Sequence, residues 1–84
     1  MNSKSMVSEE NYLRTIQKLN EKNGYARNVD VAKELHYAES SVSVAMKKLC
    51  AKGYVEKEYA NLLFLTQSGS TQIQYLNGEN QNGH

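Results

Sequence analysis

A single cysteine, Cys50, stands in 84 residues, so no disulfide can close within the chain. The two histidines, His36 and His84, lie far apart in sequence and complete no Cys/His spacing of the zinc-binding type. No apolar run reaches bilayer-spanning length, and no succession of basic, apolar and small residues marks a secretory leader. No membrane partner is expected, and a reduced, cytoplasmic setting follows. Charge of one sign is missing too: ten basic residues face nine acidic ones, for a formal net charge of +1. The serines have no companion His/Asp pattern and no GxSxG turn, and Ser68-Gly69-Ser70 is too short to cradle a phosphate. No enzymatic activity and no cofactor are expected.

What is present fits one small domain, which buries only about 60–65% of its unfolded surface and so has a thin core. Residues 1–7 are polar without periodicity and read as a flexible lead-in, residues 8–77 as the domain, and residues 78–84, rich in Asn and Gly, as a disordered tail. Ser8 followed by Glu9 and Glu10 suits a helix start, by side-chain capping and the helix dipole. Tyr12, Leu13, Ile16 and Leu19 then recur at helical spacing until Asn23-Gly24 closes the helix. Asn28 can cap a short second helix that turns Val31, Ala32 and Leu35 inward. His36-Tyr37-Ala38 forms a turn, in which His36 reads as a structural or solvated residue rather than a ligand.

A third helix runs from near Glu39 to about Lys52, where Gly53 stops it. Its buried stripe is Val42, Ala45, Met46 and Leu49, with Cys50 as a half-buried small hydrophobe. A 100° step per residue centres the opposite face on Ser40, Val44, Lys47 and Ala51, flanked by Ser41, Ser43 and Lys48. Beyond Gly53 the period changes. Tyr54 to Tyr59 alternates, Ala60-Asn61 suits a tight turn, and Leu62 to Leu65 is a second short strand. Thr66-Gln67-Ser68-Gly69-Ser70 opens a short final helix carrying Ile73, Tyr75 and Leu76. The predicted fold is mainly α with a small β-hairpin (α+β). It is a winged helix-turn-helix of three helices, a two-stranded wing and a C-terminal helix, in which the third helix is the one that lies in the major groove of DNA.

The charges support that placement locally. Six acidic residues (Glu9, Glu10, Glu21, Asp30, Glu34, Glu39) fall in the first half, whereas Lys47, Lys48, Lys52 and Lys57 cluster within eleven positions. Ser40, Ser41 and Ser43 can exchange hydrogen bonds with phosphates and base edges. Lys47 and Lys48 can neutralise phosphates or reach a guanine, and Val44 can meet a thymine methyl. Arg27, just ahead of helix 2, can grip a phosphate together with backbone amides, with Tyr25 beside it. On the wing, Lys57 and Tyr59 can reach the backbone and Asn61 can hydrogen-bond in the minor groove, but Glu56 and Glu58 are interleaved with them. The wing contact is therefore expected to be weak.

The segments Glu10-Asn-Tyr-Leu-Arg-Thr-Ile16, Gly24-Tyr-Ala-Arg27, Val31-Ala-x-x-Leu35, Ser40-Ser-Val-Ser43 and Leu65-Thr-x-x-Gly69 resemble the N-terminal domain of the diphtheria toxin repressor and manganese transport regulator family over residues 8–77. The resemblance implies a winged-helix, sequence-specific DNA-binding domain acting in transcriptional control. It also implies that Ser40, Ser41 and Ser43 fall at DNA-contacting positions. In that family an activating metal is held by helix 1 together with a second, dimerising domain. Asn11 falls at one helix 1 ligand position and Arg14 at a glutamate ligand of the manganese-responsive branch. Neither suits a divalent ion, and the second domain has no counterpart in this sequence, so no metal is expected. A homodimer is expected through the outer face of helix 1 and the last helix, with Ile73, Tyr75 and Leu76. The alternative function is a winged-helix adaptor that binds protein rather than DNA.

Overall fold

The computed structural model describes the backbone of residues 3–81 and the side chains of residues 9–76. Four helices and one hairpin follow in the order α1 (Ser3–Asn23), α2 (Asn28–Leu35), α3 (Glu39–Ala51), β1 (Val55–Glu58), β2 (Leu62–Leu65) and α4 (Gln67–Gln81). This is the winged helix-turn-helix that the sequence predicts.

Helix α1 buries Tyr12, Leu13, Ile16 and Leu19, the apolar positions that its periodicity marks. Its backbone is helical from Ser3 rather than from Ser8. No proline or glycine interrupts residues 3–8, so Ser8 falls inside the helix instead of capping it. A second boundary also differs from expectation. Asn28 is the first residue of α2 and not its cap; Arg27 occupies that place in extended conformation (φ −133°, ψ 158°) with no side-chain cap bond. Ala26 bridges to Leu63 as a strand does, and Leu63 N–H donates to its carbonyl at 2.8 Å. The chain is thus held extended until Arg27 and can only start coiling at Asn28.

Helix α2 ends on His36, whose backbone lies in the left-handed region (φ 61°), and Tyr37 N–H closes the motif on the Ala32 carbonyl at 3.0 Å. The ring of Tyr37 then meets Tyr12 edge-on, centroid to centroid 5.7 Å. Burial of the Tyr12 phenol raises its pKa, and the neighbouring Tyr37 adds to the shift. Helix α3 buries Val42, Met46 and Leu49 in the shared core, with α2 and β1 as the elements closest to it. With Leu13, Ile16, Val31, Leu63 and Ile73 they form one core fed by every helix and by the wing.

The wing pairs Val55 with Leu65 through Glu58 with Leu62, antiparallel. Its tip turns on Ala60 and Asn61, both at φ 62°, and Leu62 N–H closes it on the Tyr59 carbonyl. The hairpin is fastened at its base. Asn20 of α1 donates through Nδ2 to the Leu63 carbonyl at 3.0 Å and accepts the Leu65 N–H on Oδ1 at 2.9 Å. Thr66 caps α4 by accepting the Gly69 N–H on Oγ1 at 3.0 Å. Helix α4 runs on through Asn77 and Gly78 to Gln81, past the predicted boundary of the tail, whose last residues, 82–84, lie outside the described residues. Ile73 is 6% exposed and belongs to the core, so it is not available to the dimer surface foreseen for it; Tyr75 (59%) is.

Candidate nucleic-acid interface

The outward ridge of α3 carries Ser40, Ser41, Val44, Lys47 and Lys48, all exposed, and Val44 keeps 56% of its surface in water. A valine so exposed in the middle of a helix does no packing for the fold. Ser43 differs from its predicted neighbours in being half-buried. Its place on the helical wheel, some 100° from Val44, brings it to the margin of the ridge rather than the crest.

Two grooves flank the ridge. The first, about 300 Å³, lies between the start of α2, the start of α3 and the wing, and is lined by Arg27, Asn28, Val29, Glu39, Lys57, Ala60 and Asn61. It brings Arg27, Lys57 and Asn61 together, three residues that sequence spacing could not connect. The second, about 360 Å³, lies between α1 and α3. Ser41, Val44, Lys48 and Lys52 face Glu9 and Tyr12 across it.

The electrostatics separate the free cations from the engaged ones. Lys52 Nζ pairs with Glu9 at 3.3 Å and Arg27 Nε with Asp30 at 3.3 Å, while the Arg27 guanidinium also sits 5.8 Å over the Tyr25 ring. Lys18 pairs with Glu34 on the far side, and its hydrogen bond and charge hold the Glu34 carboxyl below its usual pKa. Lys47, Lys48 and Lys57 have no ion pair among the described residues. These three are the lysines on or beside the ridge. The interleaved acids of the wing are sorted by strand alternation. Lys57 shares the face of Val55 and lines the first groove, whereas Glu56 and Glu58 lie on the opposite face and line neither.

Sequence reasoning missed two features here. Glu39 puts a carboxylate into the first groove, where the pattern marked only a helix start. Glu9 and Lys52 line the second groove and close it with an ion pair from α1 to the end of α3. Tyr59, which the sequence places within reach of the DNA backbone, stands 92% exposed at the wing tip.

The two helix 1 positions that the family resemblance would assign to a metal hold Asn11, half-buried, and Arg14, whose Nε donates to Glu10 at 2.7 Å. A guanidinium at one position and an amide at the other do not form a divalent-cation donor set. Among the described residues no group of three His, Cys, Asp or Glu side chains converges elsewhere. Nor is any helix among them long and apolar enough to cross a membrane.

Comparison with known proteins agrees with this architecture. Residues 4–61 match the family model described as iron dependent repressor, N-terminal DNA binding domain. The crystal structure of T. acidophilum IdeR superposes with a TM-score of 0.74 at 31% identity, covering 76% of this chain and 30% of that one. The hypothetical protein SSo2273 from Sulfolobus solfataricus gives 0.77 at 35% identity, covering 82% of this chain and 53% of that one. The chain thus spans about a third and about half of the length of these two relatives. No curated protein matches it. The chain belongs to the iron-dependent repressor family, and the part of that family it carries is the non-enzymatic, N-terminal DNA-binding domain.

Proposed function

We propose that this chain is a sequence-specific, metal-independent transcriptional repressor, with α3 lying in the major groove of duplex DNA. The observation that carries the reading is the α3 ridge: an exposed Val44 set among Ser40, Ser41, Lys47 and Lys48, with both lysines free of ion pairs. In this reading Val44 meets a thymine methyl and Ser40 and Ser41 bond to base edges or phosphates. Ser43 serves from the margin of the ridge, and Lys47 and Lys48 neutralise phosphates. One strand of the duplex passes over the first groove, where Lys57, Asn61 and the terminal guanidinium nitrogens of Arg27, whose Nε alone is taken by Asp30, hold its backbone. Control by metal is set aside because of the donor set at Asn11 and Arg14. A regulator of this kind works in the cytoplasm on chromosomal DNA. Two copies bind a pseudo-palindrome, meeting through the exposed part of α4 around Tyr75 and Leu76; sedimentation at micromolar concentration showing only monomer would count against that pairing.

Titration of mixed-sequence duplex at rising salt tests the reading. With some four to six phosphates neutralised, log K falls against log salt with a slope of roughly −4 to −5, and added chelator leaves the curve unchanged. A flat or absent response would point to the adaptor function instead. Glu39 supplies a finer check, since its carboxylate lines the groove assigned to a phosphate. Glu39→Gln is expected to tighten duplex binding at low salt by roughly threefold, the scale of one exposed charge interaction, and to lower the melting temperature by only a few degrees through the lost helix-dipole contribution of an acid in the first turn of α3.

A further inference from the structure

The wing tip holds the most exposed aromatic among the described residues. Tyr59 is 92% accessible and sits on a turn whose next two residues, Ala60 and Asn61, are both left-handed. That ring does nothing for the core. The backbone that carries it is nonetheless fixed, because the tip is closed by Leu62 N–H on the Tyr59 carbonyl and β2 is bonded to Asn20 and Ala26. A large ring in water on an anchored backbone suits contact with something outside the chain, because only its two side-chain torsions remain to be ordered when contact is made.

Its surroundings indicate what. Ala60, Asn61 and Lys57 line the groove shared with Arg27, so Tyr59 projects beyond the end of the track proposed for the DNA backbone. With α3 in the major groove, the next surface met along that track is the adjacent minor groove. Its width of about 6 Å admits a phenol ring edge-on, and its floor offers only acceptors at A·T pairs, A N3 and T O2. The Tyr59 hydroxyl is a donor to such atoms. At a G·C pair the guanine amino group adds a competing donor at the same floor.

We infer that Tyr59 is the wing's reading residue: it enters the minor groove flanking the α3 site and favours A·T pairs there, through a non-ionic contact. This rests on the DNA-binding reading above.

The chain has no tryptophan, so Tyr59→Trp places one fluorophore at the tip. Its emission should shift to the blue or quench on saturation with duplex, at the concentration where anisotropy of a labelled duplex reports binding. Tyr59→Ala should weaken binding about tenfold on a duplex with A·T flanks and less on one with G·C flanks, while the salt slope stays as in the parent chain. Lys57→Ala should instead reduce that slope by about one unit. Unmoved emission at saturating duplex, or parental affinity in Tyr59→Ala on both flanks, would overturn the role of Tyr59 and leave α3 binding standing. Failure of the parent chain to bind any duplex at low salt would overturn both.

Discussion

Replacing Lys47 and Lys48 together with alanine is expected to weaken duplex binding about a hundredfold near 50 mM salt, roughly 1.4 kcal/mol per lost contact. The salt slope should become shallower by roughly 1.8, because two fewer counterions are released for two lost phosphates. Both side chains are exposed and neither has an ion pair among the described residues. Folding therefore loses no Coulomb partner, and alanine is the better helix former. The melting temperature should stay within a degree or two while binding collapses. The contrast with Lys52→Ala is informative. Lys52 lies in the same basic cluster by sequence but is tied to Glu9 at 3.3 Å, so its loss should change the slope much less. Retention of parental affinity in the Lys47, Lys48 double variant would remove α3 from the interface.

The second large effect concerns Gly69, in the first turn of α4. A Cβ built there lies 2.2 Å from the Tyr54 carbonyl oxygen and 2.8 Å from Cδ1 of Leu65. The leucine terminus can rotate, but the carbonyl cannot, because it accepts the Thr66 N–H at 3.0 Å at the junction of wing and helix. Gly69→Ala must push α4 away from the hairpin or break that bond. The gain in helix propensity, about 1 kcal/mol, is smaller than the cost of overpacking against backbone, which reaches about 3 kcal/mol. Some of the net loss comes from Ile73, which rides on the same helix into the core. A drop in melting temperature on the order of 10 °C is expected for a domain of this size, read by circular dichroism. Ser68→Ala, on the exposed side of the same turn, should leave it unchanged.

Much of the architecture was legible because it is local. The 3.6-residue recurrence of Tyr12, Leu13, Ile16 and Leu19, and that of Val42, Met46 and Leu49, named core residues that the structure buries. The change to alternation after Gly53 marked the wing, and the resemblance to a repressor family agrees with the match over residues 4–61. What sequence could not give depends on partners far along the chain. Asn28 looks like a helix cap, but the bridge from Ala26 to Leu63 decides where α2 begins. Ile73 reads as free apolar surface until α4 is seen folded back on the core. The grouping of Arg27, Lys57 and Asn61 around one groove joins residues from three separate elements. The acid Glu39 in that groove is equally invisible in a linear reading.

The Asn20 amide reaches two successive inward-facing positions of β2, taking the carbonyl of Leu63 and the N–H of Leu65. A strand shifted by one residue would present the groups of Leu62 and Phe64 instead, turned to the other side of the pleat, and both bonds would go unmade. One side chain on α1 thus sets the phase of the hairpin against the body. The same phase decides whether Lys57 or the two glutamates look toward the groove, so a half-buried amide on α1 governs the sign of the charge on the wing's working face.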